Sequence, residues 1–299
     1  MGKSKIEWTD RTWNPVTGCT KVSAGCANCY AERMTKRFYP GKNFNEIVLH
    51  EDRLNQPLRW RKPSKVFVCS MSDLFHDDVP GKFIIDTLSV MAEASKHTFL
   101  LLTKRPEQMK DVMNHCTVAN DVWLQTTTGV SAEPPIWPLP NVWLGVTAEN
   151  QEQADKRIPI LLQTPAAKRF VSVEPMLGPV DLGKWLPIEW SEIGETWIEA
   201  FPGKHCYDTK LHWVICGGES GPGARPMHPD WARSLRDQCT AAGVPFLFKQ
   251  WGEFAPFTYD PRDPGRVLFA NPHMFRIGKK AAGRLLDGKL WDQYPGETK

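Results

Sequence analysis

No apolar run in the 299-residue chain approaches the roughly twenty residues that a membrane-spanning helix needs. The opening MGKSKIEWTD holds no apolar signal region, which argues against secretion by that route and makes the cytoplasm the expected location. Excess charge is small as well. The 37 Lys and Arg against 34 Asp and Glu leave a net charge of +3, too little to argue for nucleic acid by itself. Internal repeats and low-complexity tracts are missing, which removes solenoid architectures. An ordinary composition, 41% hydrophobic and 24% charged, removes wholesale disorder. Finally, no second CxxC follows the first. Eight cysteines in a chain this long, without a signal region, are a poor disulfide framework and better read as a metal site or buried thiols.

Short apolar runs alternate with longer amphipathic stretches, the signal for βα units and a mostly parallel sheet. Strands are expected at Lys65–Ser70, Thr98–Thr103, Val142–Thr147, Arg169–Val173, Trp213–Cys216 and Pro245–Lys249, with a weaker one at Ile6–Thr9. Helices are expected at Tyr30–Arg37, Gly81–Ser95, Pro106–Asn114, Gln151–Gln163 and Pro229–Ala242. The fold class is therefore α/β, a partial or complete (βα) barrel of six to eight mostly parallel strands over residues 1–253. Aperiodic insertions fall near 116–141 and 181–212, and a Pro-, Gly- and Arg-rich appendage occupies 254–299.

Chemistry-bearing residues repeatedly follow the strands: Ser72 and Asp73, Lys104 and Arg105, Glu149 and Asn150, Glu174, Glu219 and Ser220, then Gln250 and Trp251. In barrels and open α/β sheets, ligands sit at the carboxyl ends of strands because the loops there converge on one mouth. Each residue alone also reads as a helix cap or a loop polar group. Lys104, Arg105, Arg169 and Lys249 are candidates for a ring of positive charge suited to a phosphate, nucleotide or carboxylate. Trp8, Trp13 and Trp251 are candidate stacking platforms, with solvated cations and aromatic packing as the alternative. His76-Asp77-Asp78 reads as a cap for the helix that starts after Pro80, with a metal site as the alternative.

Cys19, Cys26 and Cys29 are clustered, with six and then two residues between them. Gly18, Gly25, Asn14 and Pro15 make the segment a loop. Three readings fit: a structural zinc completed by a distant ligand, buried unligated thiols, or a [4Fe–4S] cluster with three protein-bound irons and one open iron. The other five cysteines, scattered along the chain, read as core residues.

Asn14-Pro15-Val16-Thr17-Gly18-Cys19, then Gly25-Cys26-Ala27-Asn28-Cys29-Tyr30-Ala31, resembles the cluster loop of radical SAM enzymes. It is nearest to the branch containing spore photoproduct lyase. The familiar loop of that superfamily has three residues between its first two cysteines, whereas this one has six. The resemblance implies that Cys19, Cys26 and Cys29 ligate iron and that S-adenosylmethionine is a cofactor. It places Ser70, Ser72 and Asp73 at the methionine end of that cofactor. Thr147 and Glu149, followed by a helix containing Arg157, fall where ribose and carboxylate contacts are held. Glu174 joins these as a candidate cofactor contact, and Tyr30 would cover the cluster or the adenine. Lys104, Glu219 and Lys249 are the candidate catalytic residues. Gly217-Gly218-Glu219 follows about the sixth strand rather than the second, and reads as a late-strand loop whose glycines permit close backbone approach. VCSMSDLFHDDVP, LLTKRP, VSVEPMLGP and GGESGPGARPMHPDW also resemble the hallmarks of a phage and bacterial family with a three-Cys motif.

The expected function is a radical SAM-type enzyme acting on nucleic acid or a nucleotide, with no membrane association and no identified protein partner. Two alternatives stay open. One is a zinc- or cluster-stabilised nucleic-acid-binding protein without catalysis. The other is a hydrolase or nuclease using Asp73, Glu149 and Glu174 around a divalent ion.

Overall fold

The computed structural model describes residues 4, 6–115, 117–126, 136–187, 210–257, 259–260, 263–267 and 273–296. The expected insertions and appendage therefore fall partly outside the described residues.

Seven strands form one sheet: β1 (Arg11–Trp13), then, past the short antiparallel pair β2 (Val16–Thr17) and β3 (Val48–Leu49), β4 (Lys65–Val68), β5 (Thr98–Thr103), β6 (Val142–Thr147), β7 (Lys168–Val173), β8 (Trp213–Gly217) and β9 (Phe246–Gln250). The spatial order β1-β4-β5-β6-β7-β8-β9 follows the chain and every pairing is parallel. Such a singly wound order is that of a barrel rather than a doubly wound sheet. The helices are α1 (Tyr30–Phe38), α2 (Glu51–Leu54), α3 (Gly81–Glu93), α4 (Pro106–Asn114), α5 (Val118–Gln125), α6 (Gln151–Leu162), α7 (Pro229–Ala241) and α8 (Lys279–Ala282). Local chemistry sets several starts. Proline opens α4 and α7, and the Asn150 side chain accepts from Gln153 N at the head of α6.

Strand alternation sorts the core into two faces. Val66, Val68, Leu101, Val146, Val171 and Val214 face the helices in the larger core. Phe67, Leu100, Trp143, Phe170, Trp213 and Leu247 point the other way and pack on one another with Trp8. The Trp8 ring, just before β1, lies 6.1 Å from that of Trp213, although the strands beside them are five places apart in the sheet. A flat sheet would separate such residues by roughly 24 Å at about 4.8 Å per strand. The sheet is therefore rolled into a half-barrel whose floor, at the N-terminal ends of the strands, is aromatic. Residues near the C-terminus help close that floor. Trp291 O accepts from Phe248 N on the edge strand, and the Tyr294 ring stacks on Trp213 at 5.1 Å beneath Lys65 Nζ. The small β10 (Phe254–Phe257), β11 (Tyr259–Asp260), β12 (Asp263–Val267) and β13 (His273–Arg276) pair outside the main sheet, β10 with β13 and β11 with β12.

Several sequence expectations change. The first strand is β1 rather than Ile6–Thr9, which forms a turn so that Trp8 can plug the floor. Trp8, Trp13 and Trp251 are all buried, so none is a stacking platform. Arg169 is 1% exposed; its guanidinium donates to Leu161 O and Thr164 O, carbonyls at the end of α6, and does not reach the mouth. His76 does not cap α3. It accepts from Asp78 N and reaches Thr20 in the cysteine loop. Among the scattered cysteines, Cys69, Cys216 and Cys239 are buried, while Cys116 and Cys206 lie outside the described residues. Among the described residues, no helix is long and apolar enough to cross a membrane.

Candidate functional site

The aromatic floor fills the lower half of the rolled sheet, and smaller inward residues above it leave space. Gly145, Thr147, Ser172 and Gly217 continue the inward alternation toward the C-terminal ends of the strands. A cavity of about 240 Å³ opens there. The loop between β2 and α1 lies across it, so that Cys19, Cys26 and Cys29 all line the cavity.

The residues after successive strands hold this loop. Beyond β4, His76 Nε2 meets Thr20 Oγ1 at 2.8 Å; because His76 Nδ1 is an acceptor, Nε2 carries the proton. After β5, Arg105 Nη2 donates to Thr20 Oγ1 at 2.7 Å and to Thr20 O at 3.2 Å, and Nη1 lies 3.6 Å from Cys19 Sγ. Asp73 orients that arginine. It receives Thr103 Oγ1 at 2.8 Å and Lys104 N at 3.1 Å, and lies 3.4 Å from Arg105 Nη1. After β6, Glu149 Oε1 accepts from Gly25 N at 3.0 Å while its other oxygen pairs with Arg157 of α6 at 2.9 Å. After β8, Glu219 Oε2 accepts from Asn28 Nδ2 at 3.0 Å. Arg225 binds Glu219 at 2.7 Å and donates to Ala24 O at 3.0 Å. The loop is thus tied to four strand ends.

These partners set the electrostatics. Burial pushes the Cys19 thiol up to about 11, with Asp73 adding to it and Arg105 opposing. For Cys26 burial also acts upward, but the Lys104 ammonium and the backbone of Val22 and Ser23 outweigh it and hold the thiol below its usual value. Burial acts upward on Glu149 and Glu219 too. Arg157 and the loop overcome it for Glu149, and Arg225 with Asn28 for Glu219, so both carboxyls sit below the usual range. Glu174, at the cavity wall, accepts from Lys249 Nζ at 2.7 Å.

The candidate residues divide accordingly. Cys19, Cys26, Cys29, Tyr30, Ser70, Ser72, Asp73, Lys104, Thr147, Glu174 and Glu219 come together around the one cavity. Ser70 and Ser72 spend their hydroxyls on Asn14 Oδ1 and Val16 O, which shape the strand of chain entering the loop. Glu149 is wholly buried and occupied by Arg157 and Gly25, and Lys249 meets the cavity through Glu174. Asp73, Glu149 and Glu174 each face a different cation. Among the described residues, no three His, Cys, Asp or Glu side chains converge on a point where one metal ion would bind. The three thiols line one cavity, and cysteine sulfur is a donor of the soft, thiolate-binding kind.

Sequence reasoning passed over Thr20, Asn28, Arg33 and Arg225. Asn28 and Arg225 act across about two hundred residues of chain, a separation that local pattern does not report. The dense glycines of Gly217–Gly223 are the one hint that another segment comes close.

Fold and site together define a β/α half-barrel protein with a three-cysteine cavity at its C-terminal mouth. The chain belongs to the family described as "Protein of unknown function (DUF5131)", which matches residues 3–295. No curated protein matches the sequence. Two solved structures are similar in shape. One, a spore photoproduct lyase variant with a cysteine-to-serine substitution, is 10% identical at a TM-score of 0.42, over 94% of this chain and 72% of the other. The second, spore photoproduct lyase complexed with dinucleoside spore photoproduct, is 9% identical at a TM-score of 0.34, over 87% and 66%.

Proposed function

We propose that the protein is an iron–sulfur enzyme of the radical SAM type that acts on a nucleotide or nucleic acid. One observation carries the reading: three cysteines of a single loop surround one cavity at the mouth of a parallel half-barrel, held there by four strand ends. Cys19, Cys26 and Cys29 would hold a [4Fe–4S] cluster by three irons. A cluster of this kind would supply one electron to the sulfonium of S-adenosylmethionine, whose carbon–sulfur bond would break into methionine and a 5′-deoxyadenosyl radical.

The chain's own residues prepare the site for that chemistry. Lys104 places positive charge beside Cys26 and favours its thiolate, and it is the cation available to a carboxylate in the cavity. Arg105, through its Nη1, opposes the upward push of burial on Cys19. Lys249 Nζ holds a proton toward Glu174 Oε1, so that a donor and an acceptor stand together at the wall. The aromatic floor seals the cavity from below and excludes water from that side. Tyr30, half exposed at the rim, offers a ring face to an entering base.

The test is anaerobic purification followed by assay of iron, sulfide and zinc, then addition of dithionite and S-adenosylmethionine with detection of 5′-deoxyadenosine. About four irons and four sulfides per chain, lost in Cys26→Ala, with cleavage of the cofactor, is the expected result. Zinc without sulfide and no cleavage would overturn the reading. So would a hydrolytic activity that needs magnesium and survives Cys26→Ala.

A further inference from the structure

The charges around the cavity do not cancel. Its three carboxylates are each matched by a cation: Asp73 by Arg105 at 3.4 Å, Glu174 by Lys249 at 2.7 Å and Glu219 by Arg225 at 2.7 Å. Two lining cations are left over, Lys104 and Arg33, and neither has a carboxylate partner among the described residues. They stand on different walls. Lys104 follows β5 and acts on Cys26. Arg33 lies on α1, one turn beyond Cys29, against the glycine-rich loop after β8.

The surroundings of Arg33 are built to take its head group and give it nothing to bind. Gly221 has φ +101°, and a methyl group there would overlap Arg33 Nη1, so the absence of a side chain makes the room. The carbonyls of Gly221 and Pro222 that could have satisfied the guanidinium are taken by Arg276 Nη2, at 2.8 and 2.6 Å. Glu253, the carboxylate at this loop, accepts from Gly221 N at 2.8 Å. Arg33 Nε is shut off from solvent and has no hydrogen-bond partner. A desolvated donor with no acceptor is an unmet hydrogen bond, and the guanidinium is left short of partners. Arg33 lines the cavity, its Nη groups find no acceptor among the described residues, and a planar guanidinium meets phosphate or carboxylate through two parallel N–H bonds.

Resting on the reading that this cavity is the substrate site, we propose that Arg33, with Ser220 beside it in the cavity lining, forms an oxyanion subsite for the phosphate of a nucleotide substrate. Lys104 is the cation left for a carboxylate. Tyr30 and Arg33, three residues apart on α1, both line the cavity, so an aromatic ring for a base stands on the same helix face as the cation for the phosphate.

Titration calorimetry with three probes separates the sources of the anion: a dinucleoside monophosphate, its uncharged nucleoside, and L-methionine as the carboxylate. The expected result is that Arg33→Gln weakens the dinucleoside monophosphate by at least about tenfold, the loss of one charged hydrogen-bonding group. Arg33→Lys recovers part of it, and nucleoside and methionine binding stay as they were. Lys104→Gln should do the reverse, lowering methionine and sparing the dinucleoside monophosphate. Unchanged dinucleoside monophosphate binding in Arg33→Gln, with the fold intact by circular dichroism, overturns the subsite. Loss of methionine instead reassigns Arg33 to the carboxylate and overturns it equally. Iron and sulfide are assayed on the same preparation, so the two readings fail separately. Arg33-dependent phosphate binding in a protein without a cluster keeps the subsite and sinks the enzyme.

Discussion

Arg105 Nη1 lies 3.6 Å from Cys19 Sγ, inside a buried network in which Asp73 fixes the guanidinium and Thr20 receives its other end. The arrangement joins the first cysteine to the ends of two neighbouring strands. On the proposed reading, in which Cys19 would hold iron, a cation donating to its thiolate would stabilise the more negative, reduced state of the metal group. Hydrogen bonds to the sulfurs are among the determinants of cluster potential. Arg105→Gln is therefore expected to bind less iron per chain than Arg105→Lys, and what it binds should reduce at a more negative potential. Redox titration followed by electron paramagnetic resonance checks this. Equal potentials in the two variants would assign Arg105 to loop packing alone.

Glu149 and Arg157 form an ion pair with almost no exposure, and Glu149 also receives the Gly25 amide. Taking one partner from a buried pair leaves the other charge desolvated, which costs about 3–5 kcal/mol. Glu149→Leu should lose stability on that scale in urea denaturation. Removing both charges, with Arg157→Met, should recover much of it. A double variant no better than the single would show that the Gly25 contact, not the charge balance, dominates.

Acid should destabilise the protein before its carboxylates titrate. Burial holds His76 and His97 below the usual imidazole value, and both are almost inaccessible. The unfolded chain takes up protons near pH 6.5 where the folded chain does not, so stability is full above that value and falls as pH drops below it. The slope is at most about 1.4 kcal/mol per pH unit for each histidine. Glu149 and Glu219, held below the usual carboxyl range, contribute only further down in acid. Urea midpoints at pH 7.5, 6.5 and 5.5 measure the histidine window, and His97→Phe should flatten it. No decline between the first and last would contradict the assignment.

The sheet was legible because parallel strands buried on both faces are written as unbroken apolar runs. Thr98–Thr103 and Val142–Thr147 are strands at the expected bounds. The three cysteines stood out by spacing alone, and the structure gathers them at one cavity. What the mouth residues do there was less readable. Strand parity already decided Arg169: with Phe170 facing inward, its neighbour must face the helices, where carbonyls at the end of α6 absorb it. No pattern of that kind announces Asn28 and Glu219, which meet only because the sheet curls and brings β8 toward the loop before α1. Residues chosen as chemistry-bearing turned out to include several that grip the cysteine loop, because a loop thrown across a mouth needs polar anchors as much as a ligand does.

The curl itself depends on a pairing of sizes on the inner face. Gly145 of β6 stands opposite Phe170 of β7, and a methyl group at 145 would lie 2.5 to 2.6 Å from three atoms of the Phe170 ring. Phe170 is nearly inaccessible and touches both Trp8 and Trp213, so it has nowhere to retreat. Overpacking of this kind costs about 1–3 kcal/mol. Gly145→Ala should therefore lower the urea midpoint, and Phe170→Leu should lower it through the lost ring. The two together should cost less than their sum, because the smaller side chain makes room for the methyl group, with a coupling of about 0.5–3 kcal/mol. Near-ultraviolet circular dichroism would follow the Trp8, Phe170 and Trp213 cluster in the same variants. Strict additivity would mean that the ring and the glycine do not meet, and that the floor is held by contacts elsewhere.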